Sequence, residues 1–189
     1  MDPISSFLAS VKIPVGRWGK NFFDWLTDNF DIILRGFSSG LNFLLDGLVD
    51  ILLLLPPVLL VALIALLAYY LQRSKALAIG VALGLLFIIN QGLWKQTVET
   101  LVLVVAASAA SMAVGVPLGI WAAHKPNVYR IMLPILDLMQ TLPTFVYLIP
   151  VLTLFGLGNA PGLIVTIIFV IPTAVRLTHL GMTSIPKSI

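Results

Sequence analysis

The sequence predicts an all-α, polytopic membrane protein with about five transmembrane helices after an N-terminal amphipathic segment. Three observations carry this. Hydrophobic residues make up 59% of the 189 residues, charged residues 10%, and the mean hydropathy is +1.06. A soluble domain carries about 25% charged residues, so this chain cannot clothe a surface in water alone. Apolar runs of bilayer length recur from residue 51 onward, and basic residues collect in the short connections between them.

Residues 1–50 read as an N-terminal amphipathic segment. Phe22, Phe23, Leu26, Phe30, Ile33, Leu34 and Phe37 fall at helical spacing, and Asp24, Asp28, Asp31 and Arg35 fall on the other face. The segment reads as too polar to span. It is expected to lie along the membrane surface or to pack on the protein's own side. Ser38-Ser39-Gly40 is expected to interrupt it before a short apolar stretch, Leu41 to Val49. Asp2, Lys12, Arg17 and Lys20 stand where a cleaved signal peptide would need an apolar run.

A helix needs about 20 apolar residues to cross a bilayer core of roughly 30 Å. Ile51–Leu71 meets that length, with Pro56-Pro57 in its first turns, and Ala76–Trp94 follows. These two form an accessory unit over residues 51–95. Residues 96–189 hold Thr97–Ala123, then Ile131–Phe155 with Pro134, Pro143 and Pro150, then Leu163–Leu180 with Pro172 and Arg176. Trp94 and Trp121 stand at expected span ends, as an aromatic belt requires.

Loop charges set the orientation. Arg73 and Lys75 mark one connection, Lys95 alone the next, and Lys125 and Arg130 the third; residues 156–162 carry no charge, and Arg176 and Lys187 close the chain. The positive-inside rule then places the N-terminus outside and the C-terminus in the cytoplasm. The formal net charge of +3 is a loop bias and does not point to nucleic acid. With no cysteine, and with His124 and His179 far apart, no metal site and no catalytic constellation is legible. No phosphate-binding glycine loop is present either.

Two patterns suggest mechanism. Ala107, Ser111, Gly115, Gly119 and Ala123 recur every fourth position, which leaves one helix face nearly bare and permits close helix packing, within one subunit or against another. Ala76, Gly80 and Gly84 repeat the theme. In the fourth span, Asp137, Gln140 and Thr141 precede Pro143, and Thr144, Phe145 and Tyr147 follow. An ionisable group there belongs against protein or a wet cavity, not lipid. Pro143 frees a carbonyl one turn earlier, near Met139, so a kinked helix with polar groups at the kink is expected. Asp137 is either a buried polar contact or part of a pathway. Glu99 is expected to be solvated, and Arg176 to snorkel.

The segments GVPLGIWAAHKP (115–126), PILDLMQTLPTFVYLIPVLTLFGLGNAPG (134–162) and IPTAVRLTHLGM (171–182), preceded by Thr97-Val98-Glu99-Thr100-Leu101, resemble the membrane subunit of binding-protein-dependent ABC importers. The resemblance is to the branch that takes up glycine betaine, proline betaine or choline. It implies a permease subunit of the bacterial inner membrane that forms the translocation pathway as a pair of copies. It implies a cytoplasmic ATPase that uses ATP and magnesium, and an extracytoplasmic binding protein; the permease itself is not an enzyme and holds no cofactor. Asp137, Gln140, Thr141, Pro143, Thr144, Phe145 and Tyr147 are then the expected pathway residues. Members of this family carry an E-A-A…G docking loop soon after the segment matching Gly181–Ile189, so the chain is expected to be truncated ahead of it. Two other readings stay open: an ion-coupled carrier or channel using Asp137, and a non-transporting membrane scaffold.

Overall fold

The computed structural model describes residues 14–184, and the stretch weighed above as a signal peptide lies mostly outside them, as does Lys187. Seven helices follow one another: α1 (Val15–Leu53), α2 (Pro57–Gln72), α3 (Lys75–Asn90), α4 (Trp94–His124), α5 (Pro126–Thr141), α6 (Thr144–Phe155) and α7 (Asn159–Thr183). Among the described residues there is no strand.

α1 runs unbroken for 39 residues, through the expected interruption at Ser38-Ser39-Gly40. Glycine and serine cost a helix up to about 1 kcal/mol each relative to alanine. Packing offsets this, because Ser38 is itself buried, as are Leu45 and Val49 on the same side of the helix. At about 1.5 Å per residue α1 extends roughly 58 Å, well beyond one bilayer core. By length and composition its stretch Gly16–Leu53 could cross a membrane, contrary to the reading that it is too polar.

Phe43, Leu44, Leu48 and Ile51 border an open apolar groove together with Ala106 of α4 and Leu163 of α7. All four are exposed, and their stripe continues back through Ile33, Trp25, Phe22 and Trp18. Lys20, Asp24, Asp28, Asp31 and Arg35 occupy the other sector, where Arg35 pairs with Asp31 one turn away. The contacts of α1 gather at one end of the bundle. Leu45 and Val49 join Val98 and Val102 near the start of α4 and Leu163 near the start of α7. Phe37 meets Phe155 at the end of α6.

The described residues hold three helices long and apolar enough to cross a membrane, or four if a bent pair counts as one. Ile51–Leu71 does not form a single helix: α1 ends at Leu53, and Pro56 sits in an extended conformation (ψ 134°) before α2. Its ring cannot donate a backbone hydrogen bond, which ends the ladder there. Ala76–Trp94 stops at Asn90, where Gly92 (φ +72°) turns the chain and Trp94 opens α4. With 16 residues each, α2 and α3 extend about 24 Å, short of the roughly 30 Å core. They pair as a hairpin through Arg73 in the left-handed region (φ 53°), and the Ser74 hydroxyl accepts from the Leu77 amide.

The centre of the fold is the packing of α4 on α7. Ala107 and Ser111 are fully buried, and Gly115 and Gly119 are buried too. A Cβ on Gly115 would lie 2.6 Å from the Ala174 Cβ; one on Gly119 would lie 2.6 Å from the Thr178 Cβ and 2.8 Å from the Val175 carbonyl oxygen. Glycine here lets two backbones meet. The last rung differs from expectation: Ala122 is buried and Ala123 only partly so. A straight helix has 3.6 residues per turn, so a strict four-residue ladder drifts off its own face. Around Gly80 and Gly84 there is open space, so the second small-residue ladder packs against nothing among the described residues. Trp94 also departs from the belt reading: it packs against the core with its ring nitrogen buried and unpaired, whereas Trp121 is exposed.

Candidate functional site

The expected kink in the fourth span is a break. α5 and α6 meet at 90° across Leu142 and Pro143. Leu142 is extended (φ −74°, ψ 133°), as steric conflict with a following proline demands. Pro143 is extended as well (φ −56°, ψ 140°) and starts α6. The side-chain hydroxyls at the break gather on Leu138, one residue before the Met139 carbonyl that Pro143 frees. The hydroxyls of Thr141 and Tyr147 both donate to the Leu138 carbonyl, each at 3.3 Å, which also accepts the Leu142 amide. Tyr147 thereby ties α6 back to α5 across the corner.

Of the expected pathway residues, Thr141, Pro143 and Tyr147 sit at this corner, and the other four fall into two groups. Asp137 and Gln140 turn towards α7. Arg176 Nη2 donates to an Asp137 carboxylate oxygen at 2.5 Å, and Gln140 Nε2 donates to Thr173 Oγ1 at 2.9 Å. Arg176 therefore pairs across helices, where snorkelling was expected. One turn further along α7, the His179 ring stacks on Tyr129 with centroids 3.6 Å apart and planes 6° from parallel. Thr144 and Phe145 belong to the second group. With Leu148 of α6 and Gly162, Val165, Thr166 and Phe169 of α7 they line an open groove of about 270 Å³. Its walls are apolar apart from hydroxyls, and Thr166 already donates to the Gly162 carbonyl.

Sequence reasoning did not reach the anchoring of α7. Gly158 precedes α7 at φ +140° and has no side chain to cap it. Asn42 of α1 does so across the fold: its side-chain oxygen accepts the Ala160 amide at 2.8 Å. Asn159 Nδ2 donates to Asp46 Oδ1 at 3.3 Å. Asn and Asp at a four-residue spacing in α1 were the available signal, but nothing local points to a partner more than 110 residues away. Glu99 pairs with Lys95 one turn away, Nζ to Oε1 3.8 Å. Among the described residues there is no cluster of metal-ligating side chains.

Residues 115–189 match the model of the family described as binding-protein-dependent transport system inner membrane component. The matched stretch takes in the glycine contacts of α4, the α5–α6 break and all of α7. The chain as a whole is similar to three permease proteins. It is 38% identical to the glycine betaine transport system permease protein OpuAB of Bacillus subtilis, over 94% of this chain and 63% of that protein. It is 36% identical to the glycine betaine/proline betaine transport system permease protein ProW of Escherichia coli, over 100% of this chain and 52% of that protein. It is 37% identical to the glycine betaine/carnitine transport permease protein GbuB of Listeria monocytogenes, over 92% of this chain and 62% of that protein. The chain thus spans about half to three-fifths of the length of the curated relatives it matches.

Proposed function

We propose that this chain is the membrane-spanning permease part of an ATP-driven importer for glycine betaine or a related quaternary amine. The observation that carries this reading is similarity along nearly the whole chain to permease proteins named for glycine betaine. The ATPase is a separate subunit that binds ATP and magnesium, and a binding protein delivers substrate from outside. Two copies of the permease form the pathway. The α5–α6 break supports placing the pathway at Asp137, Gln140, Thr141, Pro143, Thr144, Phe145 and Tyr147, because irregular backbone inside a membrane belongs where protein or water can satisfy it. Phe145 is 73% exposed and could offer a passing trimethylammonium group a ring face.

Loop charges support the same orientation as before: residues 124–130 in the cytoplasm, 156–162 outside, and the C-terminus inside. On that reading the contacts of α1 all fall at the outer ends of α4, α6 and α7. Its continuous apolar stripe then favours a helix running along the outer membrane surface, contacting lipid, over one crossing upright. The α2–α3 hairpin and the α4–α7 bundle follow as accessory and transport units. An ion-coupled carrier using Asp137 draws no support, because Arg176 already compensates that charge.

The test is uptake of labelled glycine betaine at high osmolarity, in a strain stripped of its own importers and carrying the whole gene with its partner genes. The proposal expects saturable uptake that vanishes when the partner ATPase is inactivated. Uptake that survives without the ATPase would overturn it.

A further inference from the structure

We propose that the polar seam between α5 and α7 is a releasable latch of the transport cycle, with Arg176 as its positioning residue. The inference rests on the permease reading above. Three contacts make the seam: Gln140 on Thr173, Asp137 on Arg176, and Tyr129 on His179. On α7 the three partners stand at intervals of three residues, so they share one edge of the helix.

The two sides of α7 are held in different ways. Towards α4, glycine lets the backbones meet, and a Cβ on Gly115 or Gly119 would lie 2.6 Å from a side-chain carbon of α7. That side is held by close backbone packing. Towards α5, the contacts are side chain to side chain, and Asp137 keeps 59% of its side chain exposed. None of the three contacts is a backbone hydrogen bond, so this side can part with both helical ladders intact. The hinge is adjacent. No helical ladder crosses Leu142 and Pro143, so α5 can swing about the corner without losing backbone bonds of its own.

Arg176 also has an unspent donor. It holds Asp137 through Nη2, while Nε is buried with no acceptor. A guanidinium binds a carboxylate best with two parallel bonds. The present arrangement is therefore a single-bond engagement, and a small shift of α5 along α7 would let Asp137 take both donors. Beside the position found, the seam thus has a tighter one available, with two bonds in place of one. Motion between them carries α5, and with it the groove at Thr144 and Phe145.

The test uses the absence of cysteine in this chain. The double variant Tyr129→Cys with His179→Cys, a seam contact away from the pathway residues, is made in the assembled transporter and bridged with a short, reducible bis-methanethiosulfonate reagent. The latch predicts that bridging abolishes uptake and that a reductant restores it, with each single variant unaffected by the reagent. Bridged protein that transports at the unbridged rate overturns the latch, while ATPase-dependent uptake in the same preparation leaves the permease reading standing. In parallel, Asp137→Asn should lower maximal uptake about fivefold with KM little changed. The exchange Asp137→Arg with Arg176→Asp should recover part of that loss. An exchange no better than its worse single change, at equal protein in the membrane, would also count against Arg176 as a positioning residue.

Discussion

Gly119→Ala adds one methyl group at the closest approach of α4 and α7. That methyl would stand 2.6 Å from the Thr178 Cβ and 2.8 Å from the Val175 carbonyl oxygen. Ordinary carbon contacts lie at about 3.5–4.0 Å, so the helices must part by nearly 1 Å or α7 must turn. Overpacking of this kind costs about 1–3 kcal/mol. Alanine's better helix propensity returns about 1 kcal/mol, leaving a net loss of up to about 2 kcal/mol. Gly84→Ala is the matched control, since nothing lies within 4 Å of its Cβ position, and it should be neutral or slightly stabilising. The assay is thermal unfolding of the purified protein in detergent, followed by tryptophan fluorescence. If Gly119→Ala proves as stable as Gly84→Ala, the close approach is not what holds α4 to α7, and the account of the small-residue face is wrong.

Gly115→Ala should also destabilise, by about 1 kcal/mol, because its nearest obstacle is the Ala174 Cβ at 2.6 Å and the backbone contacts are a looser 3.3 Å. Adding Ala174→Gly removes that obstacle, so the pair should be more stable than Gly115→Ala alone in the same unfolding assay. Asn42→Ala removes the borrowed cap of α7 and should cost about 1 kcal/mol, with faster amide exchange at Ala160 as the local signature. Tyr147→Phe should leave the fold standing but loosen the α5–α6 corner, lowering uptake with stability changed by less than about 1 kcal/mol.

Much of the architecture was legible because each signal was local. Composition gave the lipid environment, and the four-residue recurrence of Ala107, Ser111, Gly115 and Gly119 named a face that does become buried. Pro143 marked the place where the fourth span fails, although a kink was expected where a 90° break stands. The misses share a cause. Hydropathy averages over a window and cannot see that Pro56 and Gly92 cut two apolar runs to 16 residues each. Ser38-Ser39-Gly40 looked like a stop because propensity is local, whereas burial of Ser38 against the bundle decided the outcome. In the candidate site, Asp137 and Gln140 were named, but Thr173, Arg176 and His179 were not joined to them. Partners 33 and 39 residues apart become neighbours only once α5 folds back along α7. For the same reason Asn42 and Asp46 passed unnoticed as the anchor of α7.

The proposed reading is that this chain forms part of the pathway of an ATP-driven importer. Its most direct measurement is glycine betaine accumulation in proteoliposomes holding the complete permease, its ATPase and its binding protein, with ATP supplied on the cytoplasmic side. The account predicts uptake against a gradient that stops when ATP is withheld or the ATPase is inactivated, and that is indifferent to dissipating proton or sodium gradients. Accumulation that persists without ATP and collapses with an ion gradient would contradict it, and would make Asp137 a coupling site after all.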